Sequence, residues 1–395
     1  MTSKNGELVI MAVGEVIVNR PDPRTVFERI SSVLKQGDIV IGDLEAPMCD
    51  RGDPLPGKVE VGASNLKTGP HNVDGLESGG FNVMALANNH NMDYGWEGLE
   101  QSMELLDKAK IAYTGGGKNL EEAHKPAILE RNGVRVATLS YTSVYPHVGF
   151  AAEDNKPGLA TVKIHTSYQA PENVFYQPGY PSLTTTLPDP AEKERMLADV
   201  KQARQHADIV LVAFHWGISW GYGHILGYQK ELGRAAIEAG ADLIMGAHPL
   251  NVMGMEMYKG KLLCYSMGNF VMDGQKLDHF GSDTIIVKCR VENKRITKYS
   301  LIPVQISSVW QPHPSSHEEG VALMKKVESM SAEFGTTFSM ENGEIVIGGP
   351  KPGTPEARRG FEIEPHRGLP VLVDATFPPP YIFKKLRGIT DGRKR

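Results

Sequence analysis

Five apolar runs, each closing on a short polar motif, constrain the fold of this 395-residue chain more than any other feature. Leu8–Val13 leads into Gly14-Glu15, Asp38–Ile41 into Gly42-Asp43-Leu44-Glu45, and Val83–Ala87 into Asn88-Asn89-His90-Asn91-Met92-Asp93. Ile209–Phe214 leads into His215-Trp216-Gly217, and Leu243–Met245 into Gly246-Ala247-His248-Pro249. Short continuous apolar runs with turn residues after them read as buried strands. Carboxylate, amide and imidazole groups at strand ends are how an α/β scaffold builds a metal centre. The strands hold the ligands rigidly and the loops leave one side open.

Around these runs the chain alternates strand and helix patterns. Helices are predicted from Pro23 to Lys35, with Val26, Phe27, Ile30, Val33 and Leu34 on one face, and from Gly95 to Ala109. Further strands are predicted at Ile111–Tyr113 and Val134–Tyr141. Two more helices run from Pro190 to about His206 and from Tyr228 to Ala239. The alternation predicts βα units with mostly parallel pairing. Beyond Pro249 the character changes. Val252–Tyr258, Lys261–Tyr265, Thr284–Val291 and Thr297–Gln305 read as antiparallel hairpins. Residues 146–190 are rich in Pro, Gly, Tyr and Asn, without a clear period. A stretch of that kind is either a functional cover or a plain surface excursion. The expected division is a domain over 1–310 and a C-terminal part over 311–395. The latter consists of a helix at 316–333 and a Pro/Gly-rich arm, which packs on the domain or makes a homo-oligomer with a neighbouring subunit.

Bulk properties narrow the function classes. Net charge is −5, and no basic cluster is interleaved with aromatics, so a nucleic-acid surface is not expected. No window is apolar enough for a membrane span. The apolar run near the N-terminus is too short for a signal segment. Cys49, Cys264 and Cys289 form no close pair, and the last two lie in strand-like runs, which suits reduced thiols. The expected location is the cytoplasm, with no membrane partner. Gly115-Gly116-Gly117-Lys118 lacks the spacing of a phosphate-binding loop and reads as a turn before a helix starting near Asn119.

Together the motifs carry a resemblance. Gly42-Asp43-Leu44-Glu45-Ala46-Pro47, the stretch Ala87 to Gly95, His215-Trp216-Gly217, Gly240 to Pro249 and Tyr265-Ser266-Met267-Gly268-Asn269-Phe270 resemble the CapA (poly-γ-glutamate capsule biosynthesis) family. That family belongs to the calcineurin-like metallophosphatase superfamily. The resemblance covers residues 8 to about 272. It implies a four-layer αββα sandwich of two mixed β-sheets flanked by helices, with a metal centre at the sheet tops. It also implies Glu45 as a bridging-type carboxylate, Asn89 as an amide ligand, His215 and His248 as imidazole ligands, and His90 as the general acid. Members of the family are normally membrane-tethered, and no anchor is read in this chain.

The sequence departs from the family pattern on one metal position. Glu15 stands where Asp is usual, Ile17 where the superfamily has a His, and Leu250 where the family repeats a His. Neither Ile nor Leu binds a metal. The expectation is therefore one well-formed divalent site per chain, for Mn²⁺, Zn²⁺ or Fe²⁺, with Glu15 either a general base or a ligand from slightly further back. Trp216, Trp220, Tyr222 and His224 on the Gly-rich stretch after the fourth motif are candidates for stacking against a small organic substrate, or simply for packing. His147 is a further pocket candidate. Asp273, Asp278 and His279 are candidates for an extra base or replacement ligand. The expected function is a metal-dependent hydrolase of an ester, amide or phosphoester. The alternatives are a metal-dependent lyase and a poly-γ-glutamate synthesis or release factor.

Overall fold

Period-two alternation along the central strands decides the layers. In the computed structural model, which describes residues 6–169, 183–219, 224–274 and 281–350, Ile10 and Ala12 turn one way and Met11 and Val13 the other. Likewise Ile209, Leu211 and Ala213 face one side of their strand, and Val210, Val212 and Phe214 the other. Each strand is apolar on both faces, so each sheet must be covered twice.

The first half of the chain contains β1 (Leu8–Ile17), α1 (Ser31–Leu34), β2 (Ile39–Leu44), α2 (Pro56–Glu60), α3 (Val73–Gly79), β3 (Val83–Ala85), α4 (Gly95–Lys108) and β4 (Ala112–Thr114). Then come β5 (Gly116–Gly117), α5 (Leu120–Ala123), β6 (Ala127–Arg131), β7 (Val134–Thr142), β8 (Gly158–Leu159), β9 (Ile164–Gln169) and β10 (Leu183–Pro188). The second half contains α6 (Pro190–His206), β11 (Ile209–His215), α7 (Gly227–Ala239), β12 (Leu243–Ala247), β13 (Met255–Tyr258), β14 (Lys261–Cys264) and β15 (Asn269–Met272). It closes with β16 (Asp283–Glu292), β17 (Arg295–Ile306), β18 (Pro312–Pro314), α8 (His317–Met330), β19 (Thr337–Glu341) and β20 (Glu344–Gly348).

One sheet runs β19-β20-β17-β16-β1-β2-β3-β4, with β15 beside β1 and β18 beside β17. The other runs β13-β14-β12-β11-β7-β6. Pairing is parallel through β15, β1, β2, β3 and β4, and through β14, β12, β11 and β7; it is antiparallel at the outer strands. Between the sheets lie Ile10, Ile41, Val83, Leu211, Leu243 and Met245, among others. Outside the first sheet, Met11, Val40 and Met84 pack with Phe27, Leu99 and Leu106. Outside the second, Val212, Ile244 and Leu263 pack with Val200 of α6 and Leu232 of α7. The architecture is the expected αββα sandwich of two mixed sheets.

The first polar motif differs from a simple strand end. Strand β1 continues through Gly14-Glu15 to Ile17 and changes partner on one side as it does so. Leu8–Ala12 pair with β16, and Glu15–Ile17 pair with β15. The register shifts there, a bulge that re-aims the side chain. A Cβ on Gly14 would overlap the Gly268 carbonyl oxygen, so only glycine lets the two backbones approach this closely.

One other expectation is corrected by the structure. The segment from Pro23 to Lys35 is not one helix but a 3-10 turn at Pro23–Thr25, further turns, and the short α1. Thr25, Val26, Ile30 and Val33 are β-branched and weak helix formers, yet Val26, Phe27, Ile30 and Leu34 are all buried. Within 146–190, Phe150, Ala152, Leu159, Ala160 and Val162 are buried, while β9 and β10 form a two-stranded ribbon with mostly exposed residues. Past residue 310, Leu323 and Val327 of α8 pack in the inter-sheet core, and the β19–β20 hairpin adds to the edge at β17. The arm over 351–395 lies outside the described residues. Among the described residues no helix is long and apolar enough to cross a membrane. The three cysteines are buried and free.

Candidate metal centre

The polar motifs of both sheets meet at the carboxyl ends of their parallel strands. Glu15 and Asp43 are register partners on β1 and β2, and Glu15 is also level with Asn269 on β15. Glu45 follows β2. His215 ends β11, and His248 directly follows β12. All of these residues are buried.

His215 lies at the middle of the cluster. Its Nδ1 is 3.0 Å from Asp43 Oδ2 and 3.5 Å from Glu45 Oε2. Its Nε2 is 2.6 Å from Asn89 Oδ1 and 3.1 Å from His248 Nδ1. A neutral imidazole carries a single N–H. With that proton on Nδ1, directed at Asp43, the Nε2 lone pair points at the Asn89 oxygen and His248 Nδ1. With the His248 proton on Nε2 as well, three lone-pair atoms converge with no proton between them, the arrangement a cation satisfies. Glu15, Glu45 and His215 also offer donor atoms within 4.8 Å of one another.

The loop after β3 separates its asparagines by role. Asn88 Oδ1 accepts from the backbone N–H groups of His90 (3.1 Å) and Asn91 (2.9 Å), while its amide donates to Asp43 Oδ1 and the Leu44 carbonyl. Asn91 donates to the Leu44 and Leu86 carbonyls. These two amides build the turn, and Asn89 is the one that reaches His215. His90 points its Nδ1 at Asp93 Oδ2 (2.6 Å) and its Nε2 towards Glu45 Oε1 (3.9 Å). Lys58, on α2, is ion-paired with Asp93 and donates to the Asn89 carbonyl at 2.7 Å.

Burial and neighbouring charges perturb the ionisable groups of the cluster. Burial pushes the Glu15 carboxyl up to about 7, with Asp43 adding to the rise and His215 opposing it. Burial, then the neighbouring Glu15, Asp43 and Asp93, holds Glu45 well above the usual carboxylate range. Burial, then the imidazoles of His215 and His90, keeps His248 well below the usual histidine range. Burial also lowers His90, with Asp93 pulling the other way. Glu15 Oε2, Glu45 Oε2 and both side-chain polar atoms of Asn269 are buried without a hydrogen-bond partner. Such orphans are costly unless something binds them. His248 also holds φ at +91°, a strained conformation for a residue with a side chain, costing about 1–3 kcal/mol. Glu15 accepts the His248 backbone N–H and helps fix that bend. The residues therefore fit a divalent cation: carboxylate, amide and imidazole donors, buried, with orphaned oxygens.

Several sequence candidates are placed elsewhere. Trp216 is a correction. Alternation along β11 sends it to the opposite face from His215, where it stacks on Phe214 at 4.5 Å and donates to the Tyr265 carbonyl at 2.8 Å in the helix-side core. His147 is exposed, with its ring against Tyr145, and hydrogen-bonds to no described residue of the cluster. His224 is exposed ahead of α7. Trp220, Tyr222, Asp278 and His279 lie outside the described residues. Asp273 is used by Arg20, through Nε at 2.8 Å and Nη2 at 2.5 Å, and by the Asn19 N–H. Ile17 is buried in the core outside the first sheet.

Asp43, Asp93 and Asn269 stand in the sequence motifs without a role assigned to them, and Lys58 and Ser219 are not singled out by the sequence. Asp43 shares a strand face with Glu45, two residues on, and Asp93 lies three residues after His90. Lys58 lies in a stretch with no motif, and only folding brings it to Asp93.

Fold and site together define a class: an αββα sandwich with a metal-type donor cluster spanning the carboxyl ends of both sheets. The chain belongs to the family of the bacterial capsule synthesis protein PGA_cap, whose pattern matches residues 6–274. It is 28% identical over 346 residues to the PGA biosynthesis protein CapA of Bacillus subtilis (strain 168), covering 87% of this chain and 80% of that protein. It is 30% identical over 279 residues to the capsule biosynthesis protein CapA of Bacillus anthracis, covering 68% of this chain and 61% of that one. A probable polyglutamine synthesis accessory protein of Mycobacterium tuberculosis is 25% identical over 279 residues, covering 67% of this chain and 66% of its own length.

Proposed function

We propose that this chain is a metal-dependent hydrolase of a small organic substrate with an ester, amide or phosphoester bond. The observation that carries the reading is the convergence of Asn89 Oδ1, His215 Nε2 and His248 Nδ1, 2.6 and 3.1 Å apart about His215, with His90 beside them. Asn89, His215, His248 and Glu45 would hold one divalent ion, Mn²⁺, Zn²⁺ or Fe²⁺. When bound, such an ion supplies Lewis acidity, lowering the pKa of a water or polarising a substrate oxygen. Glu15, with a free Oε2 in the same cluster, takes the proton that the attacking water gives up. His90 delivers a proton from Nε2 to the leaving group when its ring carries both protons, a form that burial opposes. Asp93 accepts from Nδ1, and that contact orients the ring and favours its charged form. Burial of the cluster excludes bulk water from these transfers.

A second reading has one specific support. Relatives that match most of this chain are named for capsule and PGA biosynthesis, and under that reading this chain takes part in polymer synthesis or release. The discriminating assay is turnover of p-nitrophenyl phosphate and p-nitrophenyl acetate by protein loaded with Mn²⁺ or Zn²⁺. Metal-dependent release that chelation abolishes and metal restores is expected for one of these bond classes. Release indifferent to chelation, or none from esters and none from a matching anilide, contradicts the hydrolase reading.

A further inference from the structure

We infer that Ser219 sets the tautomer of His248, and with it the metal affinity of the centre. The inference rests on the metal reading above. The two imidazoles are held in parallel ways. His215 has Asp43 at Nδ1, which frees Nε2 for the cluster. His248 needs the reverse arrangement, because its Nδ1 is the nitrogen that faces His215. Its other nitrogen, Nε2, is 2.8 Å from Ser219 Oγ. When the hydroxyl accepts the Nε2 proton, the Nδ1 lone pair is free to bind a cation.

The competing tautomer shows why that contact matters. With its proton on Nδ1, His248 would donate to His215 Nε2 across the 3.1 Å between them. One internal hydrogen bond would then occupy two of the three converging donors. Without the hydroxyl, the proton on Nε2 loses its partner on a residue only 8% exposed, and the blocking tautomer gains. A partner on the non-ligating nitrogen is the usual means of fixing a metal-binding histidine.

The fold positions Ser219 for this contact. Gly217 turns the chain at φ +89°, and a Cβ there would press on Gln229 Nε2 and Pro249. The Gly217 N–H donates to the Tyr228 hydroxyl at 2.6 Å, tying the turn to α7. Ile218 points outward, 46% exposed, and Ser219 comes back towards the centre. Ser219 is thus a positioning residue that acts through His248.

The test is titration of Zn²⁺ and of Mn²⁺ into the metal-stripped full chain by calorimetry, for wild type, Ser219→Ala and Ser219→Thr. The Ala variant is expected to bind about 10–100-fold more weakly, the range found for such partners. The Thr variant, which keeps the hydroxyl, is expected to bind close to wild type. All three stripped proteins are expected to be folded, with Ser219→Ala melting somewhat lower because a buried N–H has lost its partner. Equal affinity in Ser219→Ala, or failure of Thr to rescue, would each overturn the inference and leave the metal reading standing. A wild type that binds neither ion removes the metal reading itself.

Discussion

Stripped of metal, the protein is expected to lose stability as pH rises from about 6.5 to about 8. The cause is the cluster's carboxyls. Glu15 has an ordinary pKa of 4.5 in the unfolded chain and about 7 in the fold, because burial disfavours its charged form. Below 4.5 it is protonated in both states, and its contribution is intact. Between 4.5 and 7 only the unfolded chain ionises, so each step up in pH favours unfolding. Above 7 the loss is complete, at about 3 kcal/mol for a shift of this size. Glu45 is raised by the same cause and adds in the same direction. His248 and His90, both lowered by burial from the usual histidine value of 6.5, work the other way up to that pH, because there the unfolded chain binds the extra protons; above it they leave the carboxyl effect unopposed. A divalent ion pairs with the ionised carboxylates and removes the loss. Thermal unfolding of stripped and Zn²⁺-loaded protein across this pH range checks the expectation. The gap between the two should widen towards pH 8, and a gap independent of pH would contradict it.

His90→Ala is expected to lower turnover by about 10²–10⁴-fold while leaving bound metal unchanged. The geometry separates the two effects. The ring ties Nδ1 to Asp93 and holds Nε2 3.9 Å from Glu45, outside the set that converges on His215. Its neighbour Asn89 belongs to that set, so under the proposed function adjacent residues would divide the work between proton delivery and metal holding. Metal analysis and kinetics on one preparation provide the check. Loss of metal together with activity would place His90 among the ligands.

The layers are legible in the sequence because the central strands are apolar on both faces. Ile10 and Met11, or Leu211 and Val212, each need a cover, and that requirement yields two sheets with helices outside. The edges are harder to read. Hairpins β6–β7 and β19–β20 turn on Asn132-Gly133 and Asn342-Gly343, pairs with positive φ at both residues, but their edge strands are partly exposed and show little apolar period. In the site, the motif residues Glu15, Glu45, Asn89, His215 and His248 come together from distant parts of the chain. Trp216 is misread when the strand's alternation is overlooked, since a residue next to an inward histidine must face outward. Lys58 and Ser219 carry no local pattern and acquire their places through tertiary contacts.

The central claim is that the converging donors hold a divalent ion. The direct measurement is elemental analysis of the folded full chain after loading with Mn²⁺ or Zn²⁺ and removal of excess, for wild type and His215→Ala. The expected result is one tightly held ion per wild-type chain and none in His215→Ala, with both proteins folded. A wild type that retains no metal, or a His215→Ala variant that retains as much as wild type, would contradict it.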